Sequence, residues 1–453
     1  MEKYREQLTL SLPKILELGR DIKKQLQFGL EDESPSCAMM LPSFVLTLPS
    51  GDEQGDFFAI DLGGTNFRVM HCKLGCNRGE VLAEHRKEFS IPDEKKQGTV
   101  RQLFDYIAES LKSFVENECR GCIDTSQVKL GFCFSFPMQK SAPDVGRLMT
   151  WTKGYEISDG IGEDAVQLLK ESCERAGIAA QIPIIMNDTI GVLAAGRYED
   201  DSTDIGVILG TGTNAACCIP VGDIPKWQSV RPPDTPDDLL TAVNTEWGSY
   251  NSPMLPRCQE DLDFDADHYH AGKYIFEKMV CGYALGEVCR RILLTLCREG
   301  CLFEGQPLDS LEVEDSFLTA SLSAIESDTS EGLSITEKIF REEFKIHPNS
   351  DDLVVVKEVC DLVTKRAAFL IAIALVAVIQ LVFEKTGTPM DRKQTVITVD
   401  GGVFEKFDTL RRQIDEKLHE YMKEVFGENP PEVVLRPSHG GSCMGAAVLA
   451  ASC

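Results

Sequence analysis

Apolar residues recur along the chain with two spacings, which predict alternating helices and strands. From Leu10 to Ile22 they recur near helical spacing, so an amphipathic, packed helix is predicted over the first 28 residues, followed by an acidic loop. The segment FFAIDLGGTNFRVMHCKL fits two apolar strands joined at a Gly-Gly turn. A helix around 100 to 116, the strand VKLGFCFSFP and a helix from about 162 to 176 follow. This alternation indicates the α/β class.

The longest apolar run, from Ala367 to Phe383, has to be tested as a membrane span. Its 17 residues are broken by a single glutamine and lie at the lower edge of the length that a span needs. The run is rich in alanine and continues the helical pattern of LVVVKEVCDLVTKRA, so we predict a helix buried in a large core. The stretch 308 to 352 is acidic and rich in serine, which predicts a solvated helical surface.

Composition and charge exclude several classes of protein. Hydrophobic residues make up 43% and charged residues 26% of the 453 residues, as in a globular protein of two or three domains rather than a disordered one. The net charge of −26 opposes non-specific binding to nucleic acid, which depends on basic residues. A small phosphate ligand remains possible where backbone amides, a metal ion and a few cations overcome the global charge.

Seventeen cysteines favour either a disulfide framework or reduced thiols. The first twenty residues mix charges with apolar residues and do not resemble a signal peptide, so we expect reduced thiols and a cytoplasmic protein without a membrane span. Cys119 and Cys122 form a C-x-x-C pair, but a zinc site needs a second such pair. We therefore expect no metal or redox role for them.

An internal repeat points to a phosphate ligand. The segments AIDLGGTNFRVM near 59 to 70 and GVILGTGTNAACCI near 206 to 219 share an apolar strand, Leu-Gly, a Thr-Asn pair and a second strand. Two related halves facing each other would present backbone N–H groups of glycine-rich turns to phosphate from both sides of a cleft. GTGTNA also fits a weak dinucleotide fingerprint, but that fingerprint opens a helix, whereas a strand is predicted here.

Two carboxylates lie at the ends of predicted strands. Asp61 precedes Gly63 and Gly64, where it could hold Mg²⁺ beside the phosphates of a nucleotide or simply cap the turn. Asp188 follows the apolar strand IPIIM at a position where α/β proteins carry catalytic groups. There it could act as a general base in phosphoryl transfer, or serve as a helix N-cap.

Further polar residues are embedded in apolar sequence beside aromatic residues. Hydroxyls, amides and carboxylates of this kind suit a polyhydroxylated ligand, because sugar hydroxyls both donate and accept hydrogen bonds. Each residue taken alone could equally be a cap or a surface residue. The set comprises Ser135, Thr152, Lys153, Asn187, Asn214, Glu246 and Glu277.

Together these segments resemble the eukaryotic hexokinase and glucokinase family of the actin-like ATPase superfamily. The resemblance is collinear from about residue 8 onward and rests on DLGGTNFR, LGFCFSFP, WTKGY, NDTIG, GTGTNA, TEWG and FEKM in the family's order. It implies ATP- and Mg²⁺-dependent phosphorylation of the C6 hydroxyl of a hexose such as glucose, with fructose and mannose as further candidates. It also implies a duplicated, two-lobed α/β fold with ribonuclease H-like cores, closing over the sugar in a cleft between a large and a small domain.

The resemblance also implies domain boundaries. Residues 1–52 and 189–442 would form the large domain and 53–188 the small domain, while 443–453 would form a terminal helix returning to the small domain. The segments 49–56 and 185–205 would be hinges. The number of subunits is left open.

Site roles carry over residue by residue. Asp188 would be the catalytic base, with Lys153 helping to offset the developing charge. The sugar site would comprise Ser135, Thr152, Lys153, Asn187, Asp188, Asn214, Glu246 and Glu277. The nucleotide site would comprise Asp61, which would also serve the metal, with Gly63, Gly64, Thr65, Asn66, Arg68, Thr211, Gly212, Gly401, Gly402 and Ser442.

The chain departs from the family in two nucleotide segments. Gly402 stands where relatives commonly have Thr, and Gly440-Gly441-Ser442-Cys443 where they commonly have Asp-Gly-Ser-Gly, which bears on nucleotide affinity and donor preference. Two other hypotheses compete, an actin-like ATPase acting on protein partners and a sugar sensor without catalysis. FSFP, WTKG and TEWG disfavour the first, and the presence of Asp188 disfavours the second.

Overall fold

Strands and helices alternate through the protein, as the apolar pattern predicts. The computed structural model describes residues 1–31, 36–119, 128–388 and 394–453. Its strands are β1 (Leu41–Pro42), β2 (Gly55–Leu62), β3 (Asn66–Leu74), β4 (Val81–Ser90), β5 (Val128–Phe134), β6 (Met138–Ala142), β7 (Val145–Leu148), β8 (Ala180–Met186), β9 (Thr203–Leu209), β10 (Thr213–Pro220), β11 (Leu240–Asn244), β12 (Gln394–Asp400) and β13 (Glu432–Pro437).

The helices lie between and around these strands. They are α1 (Glu2–Leu8), α2 (Leu12–Gly29), α3 (Asp93–Lys96), α4 (Val100–Glu118), α5 (Ala165–Ala176), α6 (Asp188–Glu199), α7 (Gln259–Asp267), α8 (Ile275–Val280), α9 (Gly282–Arg298), α10 (Asp309–Glu312), α11 (Thr319–Glu326), α12 (Ser334–Ile339), α13 (Ser350–Thr386), α14 (Gly402–Lys406), α15 (Asp408–Phe426) and α16 (Gly441–Ser452). Short 3₁₀ turns occur at Val221–Asp223, Pro225–Trp227, Trp247–Ser249 and Glu331–Leu333, and a π turn at Phe340–Phe344.

The first sheet has five strands in the order β4-β3-β2-β5-β8. Strands β2 and β3 form the expected hairpin, in which Asp61 lies opposite Arg68. Strands β5 and β8 run parallel to β2, with Cys133 of β5 opposite Asp61 and next to Met186 of β8. The carboxyl ends of β2, β5 and β8 therefore meet at one edge, which carries Asp61 and lies beside the start of α6.

The second sheet has six strands in the order β1-β11-β10-β9-β12-β13. Strands β9 and β10 form a second hairpin, and β12 runs parallel to β9 with Val399 opposite Val207. Each sheet thus contains an antiparallel hairpin whose first strand has a parallel neighbour on its other side. The repeat seen in the sequence is a repeat of this unit, which confirms the duplicated α/β architecture.

The apolar run from Ala367 to Phe383 lies in the long helix α13, at the centre of the largest core. Among the described residues α13 is the one helix long and apolar enough to cross a membrane, yet 89% of its most apolar window is buried inside the protein. This burial fits the predicted core helix. Asn349 begins the helix by accepting hydrogen bonds from the N–H groups of Asp351 and Asp352.

Helices α6 and α16 cross between the two sheets. A Cβ atom at Gly445 would lie only 1.7 Å from the carbonyl oxygen of Gly191, so the backbones can approach this closely only because both residues are glycine. A shared apolar core surrounds the crossing, with Ile184 from the first sheet and Cys218 from the second. The strand hairpins of both halves are therefore tied to one pair of helices.

The structure corrects two expectations. The predicted N-terminal helix is two helices, since α1 ends at Leu8 and α2 begins at Leu12. Pro13 cannot continue an earlier helix, because it lacks an N–H and its ring clashes with the carbonyl four residues before it. The stretch 308–352 is only partly a solvated surface: it forms short helices, and Phe317 and Phe340 are buried with ring centroids 6.2 Å apart.

Two sequence-based expectations fall on residues outside the described ranges. Most of the acidic loop after α2 lies in 32–35, and the second cysteine of the C-x-x-C pair, Cys122, lies in 120–127.

Candidate active site

The first glycine-rich turn joins β2 to β3 and carries Asp61 at its entrance. The Gly63 N–H donates to the Asn66 carbonyl at 3.1 Å and closes the turn. A Cβ at Gly64 would lie 3.0 Å from the Cβ of Lys153, so glycine leaves room for the lysine stem to pack on the turn. The Asp61 carboxylate is buried and accepts a 2.8 Å hydrogen bond from the Ser442 hydroxyl. Of the residues predicted for this turn, Thr65 also contributes its carbonyl, which accepts from the Ile91 N–H at 2.9 Å.

Two predicted nucleotide residues after this turn share an acidic partner that the sequence reasoning missed. Glu88 on β4 accepts from Asn66 Nδ2 at 2.6 Å and from Arg68 Nε at 3.0 Å. Another guanidinium nitrogen, Arg68 Nη1, lies 3.8 Å from Asp61 Oδ2. Because β4 is the neighbour of β3, the register Arg68↔Glu88 fixes this contact, and only the strand pairing reveals it.

The second glycine-rich turn joins β9 to β10. The Gly210 N–H donates to the Gly212 carbonyl at 3.0 Å, and the Tyr283 N–H at the start of α9 donates to the Thr211 carbonyl at 3.2 Å. Gly401 lies against this turn with φ of +123°, and a Cβ there would be 2.5 Å from the Leu209 carbonyl oxygen. The segment after β12 can therefore approach the turn only as glycine.

The two departures from the family lie in this region. Gly402 opens α14, and a Cβ there would meet no atom within 4 Å, so the missing Thr side chain leaves open space beside the second turn. Gly441 opens α16 with φ of +58°, and a Cβ there would lie 2.3 Å from Asp400 Oδ2. Ser442 follows directly and contacts Asp61.

Asp400 is a further acidic residue of this region that the sequence reasoning missed. Burial raises the pKa of its carboxyl; Glu405 and Asp61 add to the shift and Arg68 opposes it. Asp400 ends β12 directly before Gly401. The segment QTVITVDGG is similar to FFAIDLGG, because in both an apolar strand leads to an aspartate and a glycine pair, with Leu62 between them in the first segment only. This similarity could have identified Asp400.

At the sugar side of the predicted site, the helix cap is made by Asn187 rather than by Asp188. Asn187 Oδ1 accepts from the Ile190 N–H at 3.3 Å, and its Nδ2 donates to the Thr189 hydroxyl at 2.9 Å. Asp188 is the first residue of α6, and its Oδ1 accepts from the Thr189 N–H at 2.8 Å. Burial raises the pKa of the Asp188 carboxyl; Lys153 opposes the shift and Asp61 adds to it.

Asn214 and Glu246 belong to one hydrogen-bond network that also contains Asn244. Asn214 Nδ2 donates to Asn244 Oδ1 at 2.8 Å and to Glu246 Oε1 at 2.9 Å, and Asn244 Nδ2 donates to Glu246 Oε1 at 2.6 Å. Burial raises the pKa of the Glu246 carboxyl, and the hydrogen bonds from the amides of Asn244 and Asn214 oppose this shift. The sequence analysis did not predict Asn244 as a site residue. It lies at the end of β11, two residues before Glu246, and this position could have identified it.

Glu277 on α8 faces the second turn and the other acidic residues. Its Oε2 accepts from the Thr213 N–H at 2.9 Å. Burial raises the pKa of the Glu277 carboxyl. The charges of Glu246 and Asp188 add to the shift, whereas the Thr213 N–H and the Lys153 ammonium oppose it. The residues from both halves thus lie within electrostatic range of one another.

The remaining predicted sugar residues come from the segment after β5. Lys153 has φ of +59°, and its ammonium lies 5.7 Å from the centre of the Phe136 ring. Ser135 is held beside β2 by its N–H, which donates to the Leu62 carbonyl at 3.2 Å, and the Thr152 carbonyl accepts from the Tyr155 N–H at 3.2 Å. Within the described ranges, neither hydroxyl is hydrogen-bonded to the carboxylates of the site.

Mg²⁺ suits the donors beside the first turn. Asp61 and Asp400 are hard oxygen ligands, and Mg²⁺ is held in many nucleotide sites by one or two carboxylates together with substrate phosphates. No group of three or more His, Cys, Asp or Glu residues able to hold a metal ion occurs in the part of the chain that the structure describes. A metal brought in with the nucleotide fits this donor set better than a metal held by the protein alone.

Comparisons with known proteins agree with this geometry. A family model described as Hexokinase matches residues 1–198, and a second with the same description matches residues 204–452. Hexokinase-1 of Spinacia oleracea is 37% identical over 446 residues, which cover 97% of this chain and 88% of the relative. Hexokinase-2 of Oryza sativa subsp. japonica is 37% identical over 434 residues, covering 94% and 86%. A solved hexokinase from Schistosoma mansoni complexed with glucose has a TM-score of 0.84 and 31% identity, covering 100% of this chain and 98% of that one.

Two duplicated hairpin turns beside a cluster of carboxylates and amides define a kinase of the actin-like ATPase fold. The chain belongs to the hexokinase family, because the two family models together match nearly all of it and the plant relatives cover almost its full length. The protein is therefore an ATP-dependent hexokinase.

Proposed function

We propose that the protein transfers the γ-phosphate of MgATP to the C6 hydroxyl of glucose and related hexoses, with Asp188 as the general base. The observation that carries this proposal is the proximity of Asp188 to the charged groups predicted for both sites. Its carboxylate interacts electrostatically with Asp61 and Lys153, and also with Glu246 and Glu277. A carboxylate close to a phosphate turn and to a sugar pocket can accept the proton of the attacking hydroxyl.

The raised pKa of Asp188 serves this role. A base whose pKa is closer to neutrality accepts a proton from an alcohol more readily while remaining ionised at neutral pH. Lys153 opposes the shift and so favours the charged form of the carboxylate. Its ammonium would also offset the charge that develops as the hydroxyl attacks.

The sugar pocket would use both directions of hydrogen bonding. Glu246 and Glu277 accept from sugar hydroxyls, while the amides of Asn187 and Asn214 can donate and accept. Ser135 and Thr152 would complete the pocket from the segment after β5. Rejection of non-sugar ligands follows from the same groups, because a ligand without hydroxyls would leave buried polar atoms unpaired.

The nucleotide would lie between the two glycine-rich turns, with its phosphates against the backbone of Gly63, Gly64, Thr211 and Gly212. Gly401, Gly402 and Ser442 would border the rest of the nucleotide. Mg²⁺ supplies charge neutralisation of the phosphates when bound, and Asp61 is the residue that we expect to hold or orient it. The open space at Gly402 leaves fewer contacts for the nucleotide than a larger residue would give there.

We also propose that the sugar induces closure of two lobes with the boundaries 1–52 and 189–442 for the large lobe and 53–188 for the small one, with 443–453 returning to the small lobe. The segments 49–56 and 185–205 would be the hinges. Support comes from α6, which lies in the second of these segments and contacts strands of both sheets, as a hinge element between two lobes would. Closure would exclude water from the reacting phosphate.

The first test is ADP release by the purified protein with MgATP, measured alone and then with glucose, fructose and mannose. We expect release to depend on sugar and to be largest with one of these hexoses. Sugar-independent release would favour an ATPase that acts on other partners. Sugar binding without any release would favour a sensor, and either outcome would overturn the proposed reaction.

A further inference from the structure

Arg86 on β4 lies against the last of the segments proposed for the nucleotide. A Cβ at Gly440 would be 3.1 Å from Arg86 Nη2, so the guanidinium lies beside the backbone directly before α16. Gly440 is followed by Gly441 and Ser442, and the Ser442 hydroxyl bonds to Asp61 at the first glycine-rich turn. A cation that the sequence analysis did not predict is therefore adjacent to this part of the site.

The strand register places Arg86 on the same face of the first sheet as Arg68. Arg86 and Glu88 are two residues apart on β4 and so face the same way, and Glu88 lies opposite Arg68 on β3. Burial raises the pKa of the Cys443 thiol in the first turn of α16, and Asp61 adds to this shift. Both arginines oppose this rise in pKa, so the charges of two neighbouring strands act together at the start of α16.

The contacts of Arg86 leave most of its donors available to a ligand. Arg86 Nη2 donates to Glu84 Oε1 at 2.7 Å, and within the described ranges the other N–H groups of Arg86 make no hydrogen bond. The two side chains of this pair are 40% and 36% exposed. An ion pair this exposed contributes little to stability, so a phosphate group can replace Glu84 as the partner.

The departure from the family at residue 440 keeps this charge available. Relatives commonly have Asp where this chain has Gly440. A side chain at this position would start 3.1 Å from Arg86 Nη2, so an aspartate there would bring a competing carboxylate to the guanidinium. With glycine, the anion that can reach Arg86 from this side is the ligand itself, and the planar guanidinium suits phosphate oxygens.

We propose that Arg86 is a further nucleotide-binding residue, whose guanidinium binds a phosphate group of the nucleotide beside Gly440. This inference rests on the proposed nucleotide site and adds to it a cation from β4. It requires that the loss of Arg86 weaken the binding of ATP and ADP but not of adenosine, which has no phosphate group.

The test compares Arg86→Met with the unchanged protein, because methionine keeps an apolar stem and removes the charge. We expect the KM for MgATP to rise about five- to twentyfold, as for the loss of a partly exposed hydrogen bond between charged groups, with kcat and the KM for glucose changed less than about twofold. The inhibition constant of ADP should rise by a similar factor and that of adenosine should stay the same. Arg86→Lys should recover part of the affinity for MgATP.

Lys87→Met is the matched control. It removes a positive charge from the next residue of β4, which is on the opposite face of the strand and lies 3.5 Å from Glu118. We expect the KM for MgATP to stay within about twofold in this variant. An equal rise in Lys87→Met and Arg86→Met would show a general effect of charge and would overturn the inference.

Other outcomes would also contradict the role of Arg86. An unchanged KM for MgATP in Arg86→Met, or an equal rise in the inhibition constants of ADP and adenosine, would show that the guanidinium binds no phosphate group. Ser442→Ala separates this failure from failure of the nucleotide site. A higher KM for MgATP in Ser442→Ala with no effect in Arg86→Met removes Arg86 alone, whereas an unchanged KM in both variants removes the site on which both proposals rest.

Discussion

The Ser442 hydroxyl donates a 2.8 Å hydrogen bond to Asp61 Oδ2, although the two residues are 381 positions apart in the chain. Ser442 lies in the first turn of α16, and Asp61 lies next to the last residue of β2. Both are buried, so the bond is shielded from water. The carboxylate at the first glycine-rich turn is therefore held by a hydrogen bond from the last helix of the chain.

Ser442→Ala should weaken the nucleotide site more than the sugar site. The change removes a donor to a buried carboxylate, and hydrogen bonds to charged groups are stronger than neutral ones. We expect the KM for MgATP to rise roughly tenfold and the KM for glucose to stay within about twofold. Ser452→Ala is the control on the same helix, since that hydroxyl bonds to Glu53 and to the Val448 carbonyl. A larger effect on glucose than on MgATP would contradict the assignment.

Asp188→Asn should abolish most turnover while sugar binding remains. An amide of the same shape cannot accept the proton of the attacking hydroxyl, so kcat should fall by on the order of 10² to 10⁴. Glucose affinity can be followed by fluorescence of Trp247, which adjoins Glu246, and should change little. Asp164→Asn is the control, because Asp164 caps the start of α5 by accepting from the Val166 N–H. Near-normal turnover in Asp188→Asn would rule out the general base.

The pH profile should depend on Lys153. Because burial raises the pKa of Asp188, activity should fall with decreasing pH at values above the ordinary carboxyl range, as the base becomes protonated. The Lys153 ammonium opposes the shift, so Lys153→Met should move this acid limb of kcat/KM to higher pH in addition to lowering its plateau. Lys385→Met, which removes a lysine paired with Asp223, should leave the limb in place. A shift to lower pH would contradict the stated electrostatics.

Asp261→Ala should destabilise the protein, although Asp261 belongs to neither the proposed sugar site nor the proposed nucleotide site. Arg366 is fully buried, and its two terminal nitrogens lie 2.5 Å and 2.9 Å from the Asp261 carboxylate. Removing the carboxylate leaves a buried guanidinium unpaired, which costs about 3–5 kcal/mol of unfolding free energy. Urea denaturation measures the loss. Glu384→Ala is the control; it breaks a pair between the exposed Glu384 and the partly exposed Lys23, and we expect it to cost less than about 1 kcal/mol. Equal losses of unfolding free energy in the two variants would show that the buried Asp261–Arg366 pair does not contribute more to stability than the surface pair.

Local patterns predicted the elements well wherever side-chain spacing and turn chemistry act over a few residues. Two turns can be predicted from the sequence, because only certain residues fit a tight strand connection: the Gly-Gly turn between β2 and β3 and the turn after Leu209. The buried helix α13 can be predicted from its apolar run. The N-terminal helix was predicted as continuous because its apolar spacing continues past Ser11, although Pro13 indicates the break.

Residues that act through distant partners were harder to predict. Glu88 and Asn244 are ordinary polar residues in the sequence, and they join the site only because strand pairing brings them against Arg68 and Asn214. The catalytic assignment of Asp188 was left open against a helix cap. The structure resolves the cap itself, since Asn187 makes the bond to the third N–H of the helix and Asp188 does not.

The sequence by itself determined the α/β class and the two glycine-rich turns, because strand and turn formation depend on near neighbours, and it predicted the residue types of a sugar site. Only the tertiary structure decided which of these residues meet. Asp61 is hydrogen-bonded to Ser442, and Asp400 lies against Gly441. Asp188 interacts electrostatically with Lys153, Glu246 and Glu277. The most distant of these pairs, Asp61 and Ser442, is 381 positions apart in the chain. All of them depend on the packing of two sheets around the α6–α16 crossing, which no local pattern encodes.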